Sequence, residues 1–362
     1  MDNINISTLV MMLETNLRLN SSKLDEIFNT VETLPYDENE EGVVKMSVRG
    51  QHKGICKKQV YQKNKTAPKK EKKNFQNQLS FYVRVFEKQE VLNGIRSFEN
   101  GIYIWEYKKG QTAFQFKGVY VEDKNAKIVS QVNRKSVGDT VIQDGNNKHN
   151  GIVYANSIRI ESENPIDKVF VNFVIEVNMF VFTSGKVKVA GCTSVDQIQR
   201  AMGRLMGTFD KYISEPIASL GIFPSQFTIK NIIPVMINSD FKNSYEIKRY
   251  ELDKLMQSKY HLISTHEPCT HPAVIVKYYC NEKYDMGDGR CHCREKYGNA
   301  YFCKGRDDAE GGCKSVTILV FQSGKVIITG GRILKQVHGA HSFMKKVFED
   351  NKNIIERIQE ER

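Results

Sequence analysis

The chain has 362 residues, 40% of them hydrophobic, which is enough for one large or two ordinary globular domains. Its net charge of +11 favours a polyanionic partner, such as nucleic acid or an anionic membrane surface, although excess lysine is also common on solvated surfaces. The lack of an 18-residue apolar run excludes a predicted membrane span. The N-terminus has no signal-peptide pattern, so we expect an intracellular protein whose eight cysteines are reduced or metal-bound.

The first fifty residues predict a strand, a helix and a second strand. Residues Ser7–Leu19 are apolar and suit a strand, and Asn20 is a candidate N-cap. Apolar residues then recur at helical spacing from Leu24 to Val31, before Pro35. The stretch Gly42–Arg49 suits a short strand.

The region from about 51 to 165 has a different composition. Nine lysines crowd the stretch from Gln51 to Lys73, which suits a DNA-contacting arm, a nuclear localisation signal or simply a solvated loop. Several β-like runs follow, separated by turns rich in Gly and Asn, and they carry no catalytic pattern. We therefore predict a β-rich insertion, with strands at Leu79–Phe86, Gly101–Tyr107, Thr112–Val121 and Ile152–Ile160.

The remaining chain alternates strands and helices. Strands are predicted within Val169–Lys188, at Phe227–Ile233, at Pro272–Tyr279 and within Val316–Gly330. Helical periodicity follows each Ser-Gly-Lys turn and also covers the stretch between Tyr245 and Met256.

One motif occurs twice. Phe182-Thr183-Ser184-Gly185-Lys186 returns as Phe321-Gln322-Ser323-Gly324-Lys325, and each copy lies between two apolar stretches, the second of which ends near Gly. This pattern predicts a β-hairpin used twice, each copy followed by a helix. The chain then divides into 1–220, with an insertion at about 51–165, and 221–362, with a cysteine-rich insertion at about 280–313.

The cysteine-rich insertion is a candidate metal site. Four thiolates could hold a tetrahedral zinc ion and stabilise an insertion too small for its own core. The tight Cys291-x-Cys293 spacing differs from paired C-x-x-C knuckles, so free thiols or a redox-sensitive loop stay open. Cys269 and His292 lie near the candidates, which are Cys280, Cys291, Cys293, Cys303 and Cys313.

The duplicated hairpin resembles the TATA-box-binding protein family, which has two direct repeats with Phe-x-Ser-Gly-Lys turns. Phe227–Ile233 resembles the first strand of the family's second repeat, and the stretch from His266 to Pro272 resembles its stirrup loop. The resemblance covers roughly residues 5–50, 165–279 and 314–350. The region at 51–165 and the cysteine-rich stretch lie outside the resemblance, and insertions of this size make the chain resemble a divergent, giant-virus-type member of the family.

The resemblance implies an α+β saddle. A curved antiparallel sheet would present an apolar concave face to the DNA minor groove, with helices on the convex face. Minor-groove edges distinguish mainly A·T from G·C pairs, apolar wedges kink the duplex, and TA steps deform readily. The physics of the groove therefore fits an apolar, β-branched surface.

The family's site residues carry over position by position. Phe182 and Phe321 match one wedge in each repeat, although either could be a core aromatic at a strand end. The second wedge of repeat two falls on His271 where the family has Phe, and a His can stack but brings less apolar volume into the base step. The remaining groove candidates are Asn231, Ile233, Leu319, Ile327 and Thr329; the phosphate-contact candidates are Lys186, Lys277 and Lys325; the partner-binding candidates are Glu267 and Pro268.

The first repeat departs from the family pattern. No second Phe occurs near Glu40-Glu41-Gly42, where we expect the other wedge. Thr8 replaces the groove Asn, Ala190 replaces the groove Thr, and Lys188 replaces an apolar residue. Repeat two therefore matches better than repeat one.

The resemblance implies a transcription initiation factor that binds and bends A·T-rich promoter DNA as a monomer and recruits general initiation factors. It would act in a nucleus or in a cytoplasmic viral factory. The alternative is an architectural or protein-interaction module with weak or lost TATA binding. No glycine-rich phosphate loop, H-E-x-x-H or G-x-S-x-G motif occurs, so we do not expect an enzyme.

Overall fold

The computed structural model describes residues 4–35, 40–56, 76–108, 114–123, 125–132, 152–212, 221–222, 228–281, 287–297, 303, 305 and 313–357. Its strands are β1 Asn5–Thr15, β2 Arg18–Leu19, β3 Gly42–Val48, β4 Gln51–Gly54, β5 Gln78–Glu90, β6 Ile95–Glu99, β7 Ile102–Lys108, β8 Phe114–Val121, β9 Lys127–Val132, β10 Val153–Ser162, β11 Val169–Phe182, β12 Lys186–Cys192, β13 Gly221–Ile222, β14 Ile229–Lys242, β15 Ile263–Thr265, β16 Val274–Cys280, β17 Lys314–Val320 and β18 Lys325–Gly331. Its α-helices are α1 Leu24–Thr30, α2 Val195–Tyr212, α3 Arg249–Ser258, α4 Cys293–Tyr297, α5 Leu334–Asp350 and α6 Lys352–Ile355.

The chain divides into two compact units. The C-terminal unit consists of Met1–Met12 and Ile232–Arg362, and the N-terminal unit is Leu13–Asn231. The division lies between residues 231 and 232, where we predicted 220/221, and the start of β1 belongs with the later half of the chain. The lysine-rich stretch beyond Cys56 lies outside the described residues.

The C-terminal unit is an antiparallel sheet with helices on one face. Its strand order is β15-β16-β17-β18-β14-β1. Alternating residues of β16, β17 and β18 are buried, and α3 and α5 pack on that face. The resulting core has β-branched side chains from the strands and larger side chains from the helices, including Val276, Ile318, Ile328, Met256 and Met344.

The N-terminal unit contains a corresponding sheet in the order β3-β5-β11-β12, with α1 packed on β3 and β5 and α2 packed on all four strands. Strand β5 lies inside the stretch predicted as an insertion, yet it pairs with β11 from Gln78↔Phe182 to Glu90↔Phe170. The predicted insertion at 51–165 therefore includes a strand of the repeat itself.

The rest of that stretch forms a β-rich layer, as predicted. Strand β10 pairs with β7, β8 and β9, and β8 pairs with the start of β11. Its buried residues include Trp105, Phe116, Ile158 and Ile160. These strands therefore have a core of their own, beside the strand pair β5–β11.

Both predicted hairpins form, with the same register. Val181 pairs with Val187 in β11–β12, and Val320 pairs with Val326 in β17–β18. In each turn the glycine N–H donates to the phenylalanine carbonyl, at 2.9 Å for Gly185 and 3.1 Å for Gly324. Both glycines have a positive φ, of 83° and 78°, which a left-handed turn residue requires.

The helix after each hairpin begins in the same way. Gln197 and Gln336 lie six residues beyond Gly191 and Gly330 respectively, and both are buried. Their side-chain carbonyls accept backbone N–H groups ahead of the helix, from Thr193 and from Arg332, each at 2.8 Å. These contacts satisfy donors that a helix start leaves open.

Smaller differences lie at element ends. The predicted strand Ser7–Leu19 ends as β1 at Thr15, because the Thr15 hydroxyl donates to the Gly185 carbonyl and accepts the Leu17 N–H. Arg18 and Leu19 then form β2. Among the described residues, no helix is long and apolar enough to cross a membrane.

Candidate nucleic-acid interface and cysteine cluster

In the C-terminal unit the sheet face opposite the helices has no helix packed on it within the described residues. We call it the open face; it comprises Asn238, Asp240, Ile275, Lys277, Tyr279, Ser315, Thr317, Leu319, Lys325, Ile327 and Thr329, which alternate with the core residues of their strands. The strand register places Ile275 beside Leu319 and Leu319 beside Ile327, which forms an apolar row.

The aromatic residues predicted as wedges lie together at one end of this face. Phe321 follows β17 directly, and its ring centroid lies 6.3 Å from that of His271. Both side chains are partly exposed. The Ala273 N–H donates to His271 Nδ1 at 3.1 Å, which fixes the imidazole at the start of β16. The structure therefore brings together two residues that are fifty positions apart in the chain.

A polar row crosses the open face beside the apolar one. The Lys277 ammonium donates to Thr317 Oγ1 at 2.7 Å, and Thr317 pairs with Thr329. The Thr329 hydroxyl donates to Asn238 Oδ1 at 2.5 Å. Asn238 was not among the predicted residues, and only the register of β14 against β18 could have indicated it.

Asn231 and Ile233 lie on β14, where both are exposed, Ile233 by 43%. Thr8, the predicted substitute for the first-repeat Asn, is half-buried on β1 and donates to the Ser7 carbonyl.

The N-terminal unit has a comparable face with different side chains. Its register aligns Tyr82, Asn178 and Ala190 in one row, which corresponds to Lys277, Thr317 and Thr329. Asn178 Nδ2 donates to the Tyr82 hydroxyl at 3.4 Å. The face therefore has a phenol and an amide where the other unit has an ammonium and a hydroxyl.

Phe182 occupies the place in its unit that Phe321 occupies in the other. It is the last residue of β11 and pairs with Gln78 of β5. Two residues earlier on β11, Phe180 pairs with Lys188 of β12. By this register the position that corresponds to His271 is Gln76, an exposed residue two positions before β5.

The predicted location of the first-repeat wedge, Glu40-Glu41-Gly42, has another role. Glu41 is largely buried and pairs with Arg200 at 2.8 Å and Arg204 at 2.6 Å on α2, and it accepts the Phe86 N–H at 2.7 Å. Burial alone would raise the pKa of Glu41, but the Phe86 N–H and the two guanidiniums outweigh it and hold that pKa below its usual value.

The two hairpin lysines are exposed and equivalent. Lys186 is 57% exposed and lies 3.9 Å from Glu14 on β1, while Lys325 is 54% exposed and lies 3.7 Å from Asp240 on β14. Exposed pairs at such distances are weak, so both ammoniums can reach a phosphate.

The stirrup loop is also exposed. The Glu267 carbonyl accepts the N–H groups of Thr270 at 3.0 Å and His271 at 2.9 Å, which forms the turn. The side chains of Glu267 and Pro268 are both exposed.

The cysteine-rich insertion gathers four of its five candidate thiols. The sulfurs of Cys291, Cys293, Cys303 and Cys313 all lie within 4.8 Å of one another, and this set could hold a metal ion. Cys280 lies on the helix-facing side of β16, where its thiol contacts the Gln336 carbonyl. Cys269 is exposed in the stirrup.

His292 lies between two cluster cysteines but is engaged elsewhere. Its Nε2 contacts Asp288 at 3.0 Å, and its Nδ1 contacts Glu295 at 3.1 Å. Burial would lower the pKa of His292, but the two carboxylates outweigh it and raise that pKa. The imidazole therefore faces carboxylates, and the donor set is all sulfur.

The thiols of the cluster differ in acidity. Burial raises the pKa of Cys291 to about 11, and burial together with the Cys293 thiol raises the pKa of Cys313 further. Burial would also raise the pKa of Cys303, but N–H groups of Gly305 and Cys313 lower it overall. A bound cation would reverse the cost of ionising these thiols.

Comparison with known proteins finds two similar chains. The chain is 28% identical over 176 residues to a protein of Acanthamoeba polyphaga mimivirus described as "TATA-box-binding protein-like"; the match covers 47% of this chain and 42% of that relative, less than half its length. The resemblance inferred from the duplicated hairpins is confirmed by this relative.

Among solved structures, the TBP of Methanococcus jannaschii is 18% identical, with a TM-score of 0.27 and coverage of 48% of this chain and 70% of that one. No family model matches the chain.

Proposed function

We propose that this chain is a TATA-box-binding-protein-like transcription initiation factor that binds and bends A·T-rich promoter DNA through the minor groove. It does so as a two-repeat saddle, bound as a monomer, with the open face toward the groove. It acts by binding rather than by catalysis, in a nucleus or a cytoplasmic viral factory. The printed description of the mimivirus relative supports the general class.

The observation that carries this proposal is the repeated hairpin with its aromatic end. Phe182 and Phe321 occupy equivalent places in two sheets of the same register, and Phe321 has His271 beside it. A pair of planar side chains at the end of an apolar row can enter a base step and unstack it. The polar row of Lys277, Thr317, Thr329 and Asn238 supplies donors for the acceptors on the groove floor.

The same proposal includes general initiation factors as partners. Glu267 and Pro268 are exposed at the stirrup, beside the aromatic pair but outside it, which suits contact with a protein while DNA is bound. A Glu267→Arg variant should keep DNA binding and lose the partner. Loss of both activities would contradict this separation.

The second candidate is an architectural or protein-interaction module. It is favoured by the N-terminal face, where Ala190 lacks the hydroxyl of Thr329, the Tyr82 phenol replaces the Lys277 ammonium, and Lys188 lies beside Phe180. On this alternative only one unit engages DNA closely, so affinity and bending are both weak.

The decisive experiment compares a TATA-containing duplex with a G·C-rich duplex of equal length at several salt concentrations, with a fluorescence readout of the bend. The proposal requires tighter binding and a larger bend on the TATA duplex. Equal affinities without a bend would favour the module instead.

Phenylalanine variants test the wedges directly. Phe321→Ala should reduce the bend more than Phe182→Ala, because Phe321 acts with His271. Each missing wedge should cost about 1–3 kcal/mol of binding, as expected for a lost stacking contact. Tyr250→Ala, at an exposed aromatic on α3, is the matched control and should leave the bend unchanged. Equal losses for the two phenylalanines would contradict the asymmetry.

We also propose zinc as the cofactor of the four-cysteine cluster. An all-thiolate tetrahedral set is the donor set of structural zinc sites. The purified, reduced chain should contain one zinc ion per molecule by elemental mass spectrometry. A metal-free chain that neither zinc nor cobalt can load would contradict the assignment.

A further inference from the structure

We propose that the cysteine cluster is a metal-dependent clamp on the open face, so that metal occupancy sets the DNA affinity of the C-terminal unit. This inference rests on the proposed function and on the metal assignment, and it adds where the metal acts. It also assigns a positioning role to the insertion loops that hold strands β16 and β17.

The sulfur geometry fits a single ion. Tetrahedral zinc–sulfur bonds of about 2.3 Å place neighbouring sulfurs about 3.8 Å apart. The sulfurs of Cys293 and Cys313 are 3.3 Å apart, and those of Cys313 and Cys291 are 3.9 Å apart. These distances exceed a disulfide bond of about 2.0 Å, and the cysteines are free. Four sulfurs gathered this closely around one point could hold a metal ion at their centre.

The ligands come from both outer sides of one strand pair. The Gly289 carbonyl, two residues before Cys291, accepts the Tyr279 N–H of β16 at 2.8 Å. The Gly305 carbonyl, two residues after Cys303, accepts the Ser315 N–H of β17 at 2.8 Å. Tyr279 and Ser315 pair directly with each other across β16–β17. A metal that joins the four cysteines therefore holds one loop on each outer edge of this pair.

Neither loop can shift easily along its strand. A side chain at position 289 would overlap the Tyr278 ring, and one at 305 would overlap Ser315, so each glycine permits a close approach of the backbone. On this proposal the cysteines keep both loops in place. Loss of the metal should thus release both edges together.

The clamped ends belong to the open face itself. Cys313 precedes β17 and shares the alternation of Ser315, Thr317 and Leu319, whereas Cys280 lies on the helix side. The clamp is therefore at one end of the face whose other end has Phe321 and His271. Strands that are held at one end present the polar and apolar rows in a fixed register, and such preorganisation lowers the cost of binding.

The test combines metal content, amide exchange and DNA affinity on the full chain. Chelation should remove one zinc ion, expose the Tyr279 and Ser315 amides to hydrogen exchange, and weaken binding to a TATA duplex about tenfold or more. Zinc, but not magnesium, should restore all three. Cys313→Ser should behave like the chelated protein, while Cys280→Ser, its matched control outside the cluster, should keep zinc, protection and affinity.

The outcomes separate the two proposals. If metal removal exposes both amides but leaves TATA affinity unchanged, the coupling is overturned and the proposed DNA binding stands. If zinc and protection behave as expected but the loaded chain shows no TATA preference, the DNA function fails and the coupling fails with it. Retention of zinc by Cys313→Ser would overturn the clamp itself. Cobalt loading, read by its thiolate absorption bands, confirms the ligand set when Cys313→Ser folds poorly.

Discussion

Glu41 is a single carboxylate that joins helix α2 to the sheet of the N-terminal unit. It lies between β3 and α2, where it pairs with Arg200 and Arg204 and accepts the Phe86 N–H from β5. A buried carboxylate is tolerable only with such partners. Its position, where the family resemblance placed a DNA wedge, is therefore explained by packing.

Replacing Glu41 with Gln should destabilise the chain by about 1–2 kcal/mol at neutral pH, once the partial exposure of the two arginines is allowed for. The folded pKa of Glu41 is lowered from 4.5, so its contribution is present above the unfolded pKa and is lost as pH falls through the folded one. Chemical denaturation at pH 7 and at acidic pH should show the difference shrinking. Glu40→Gln, at an exposed neighbour, is the control; equal effects would remove the role assigned to Glu41.

At the residue scale the second repeat matches the family pattern more fully than the first. Phe321, His271, Thr329 and Lys277 all lie on or beside the open face, because the pairing of β16, β17 and β18 brings them together. Asn238 was missed because its role depends on a bulged register between β14 and β18, which residue types do not reveal.

Among the elements, the Ser-Gly-Lys hairpins are the most constrained. A side chain at Gly324 would approach the Tyr245 carbonyl to 2.6 Å, and one at Gly185 would approach the Leu17 carbonyl to 2.0 Å. Both glycines therefore satisfy two demands at once, a positive φ and a close backbone contact. Because glycine is required at both positions, the repeated Ser-Gly-Lys motif predicted the two hairpins from the sequence.

Gly324→Ala should cost about 2–4 kcal/mol, the sum of a left-handed conformation and an overlap with backbone. Gly101→Ala is the matched control, because Gly101 also has a positive φ, of 81°, but nothing within 4 Å of the added methyl. It should cost only about 1–2 kcal/mol. Urea denaturation of both variants measures the difference, and equal losses would show that the Tyr245 contact is unimportant.

Strand β5 was harder to predict as part of a repeat. Its residues show alternation, and the sequence did predict a strand at Leu79–Phe86, but its partner β11 begins 79 residues after β5 ends. The β-rich layer lies between β5 and β11 in the chain, so the sequence did not indicate that these two strands pair. The cysteine-rich insertion occupies the same place between β16 and β17, so both repeats have their insertion between corresponding strands.

For the whole molecule, the net charge of +11 affects the strength and the salt dependence of binding to a polyanion, and it does not determine the fold. Phosphate contacts release counterions, so affinity should fall linearly on a double-logarithmic plot against salt. Contacts from the open face to base edges add little to that slope. The slope can therefore identify which lysines meet the backbone of DNA.

On the proposed function each exposed hairpin lysine neutralises one phosphate, so Lys325→Ala should reduce the magnitude of this slope by about 0.9, and Lys186→Ala should do the same. The double variant should lose about 1.8, because the two contacts are equivalent and independent. Lys335→Ala, at an exposed position on α5, should leave the slope unchanged. Binding isotherms on one TATA duplex from low to physiological salt provide the measurement. An unchanged slope in the double variant, with weaker binding at every salt concentration, would mean that these lysines stabilise the hairpins instead of contacting phosphates.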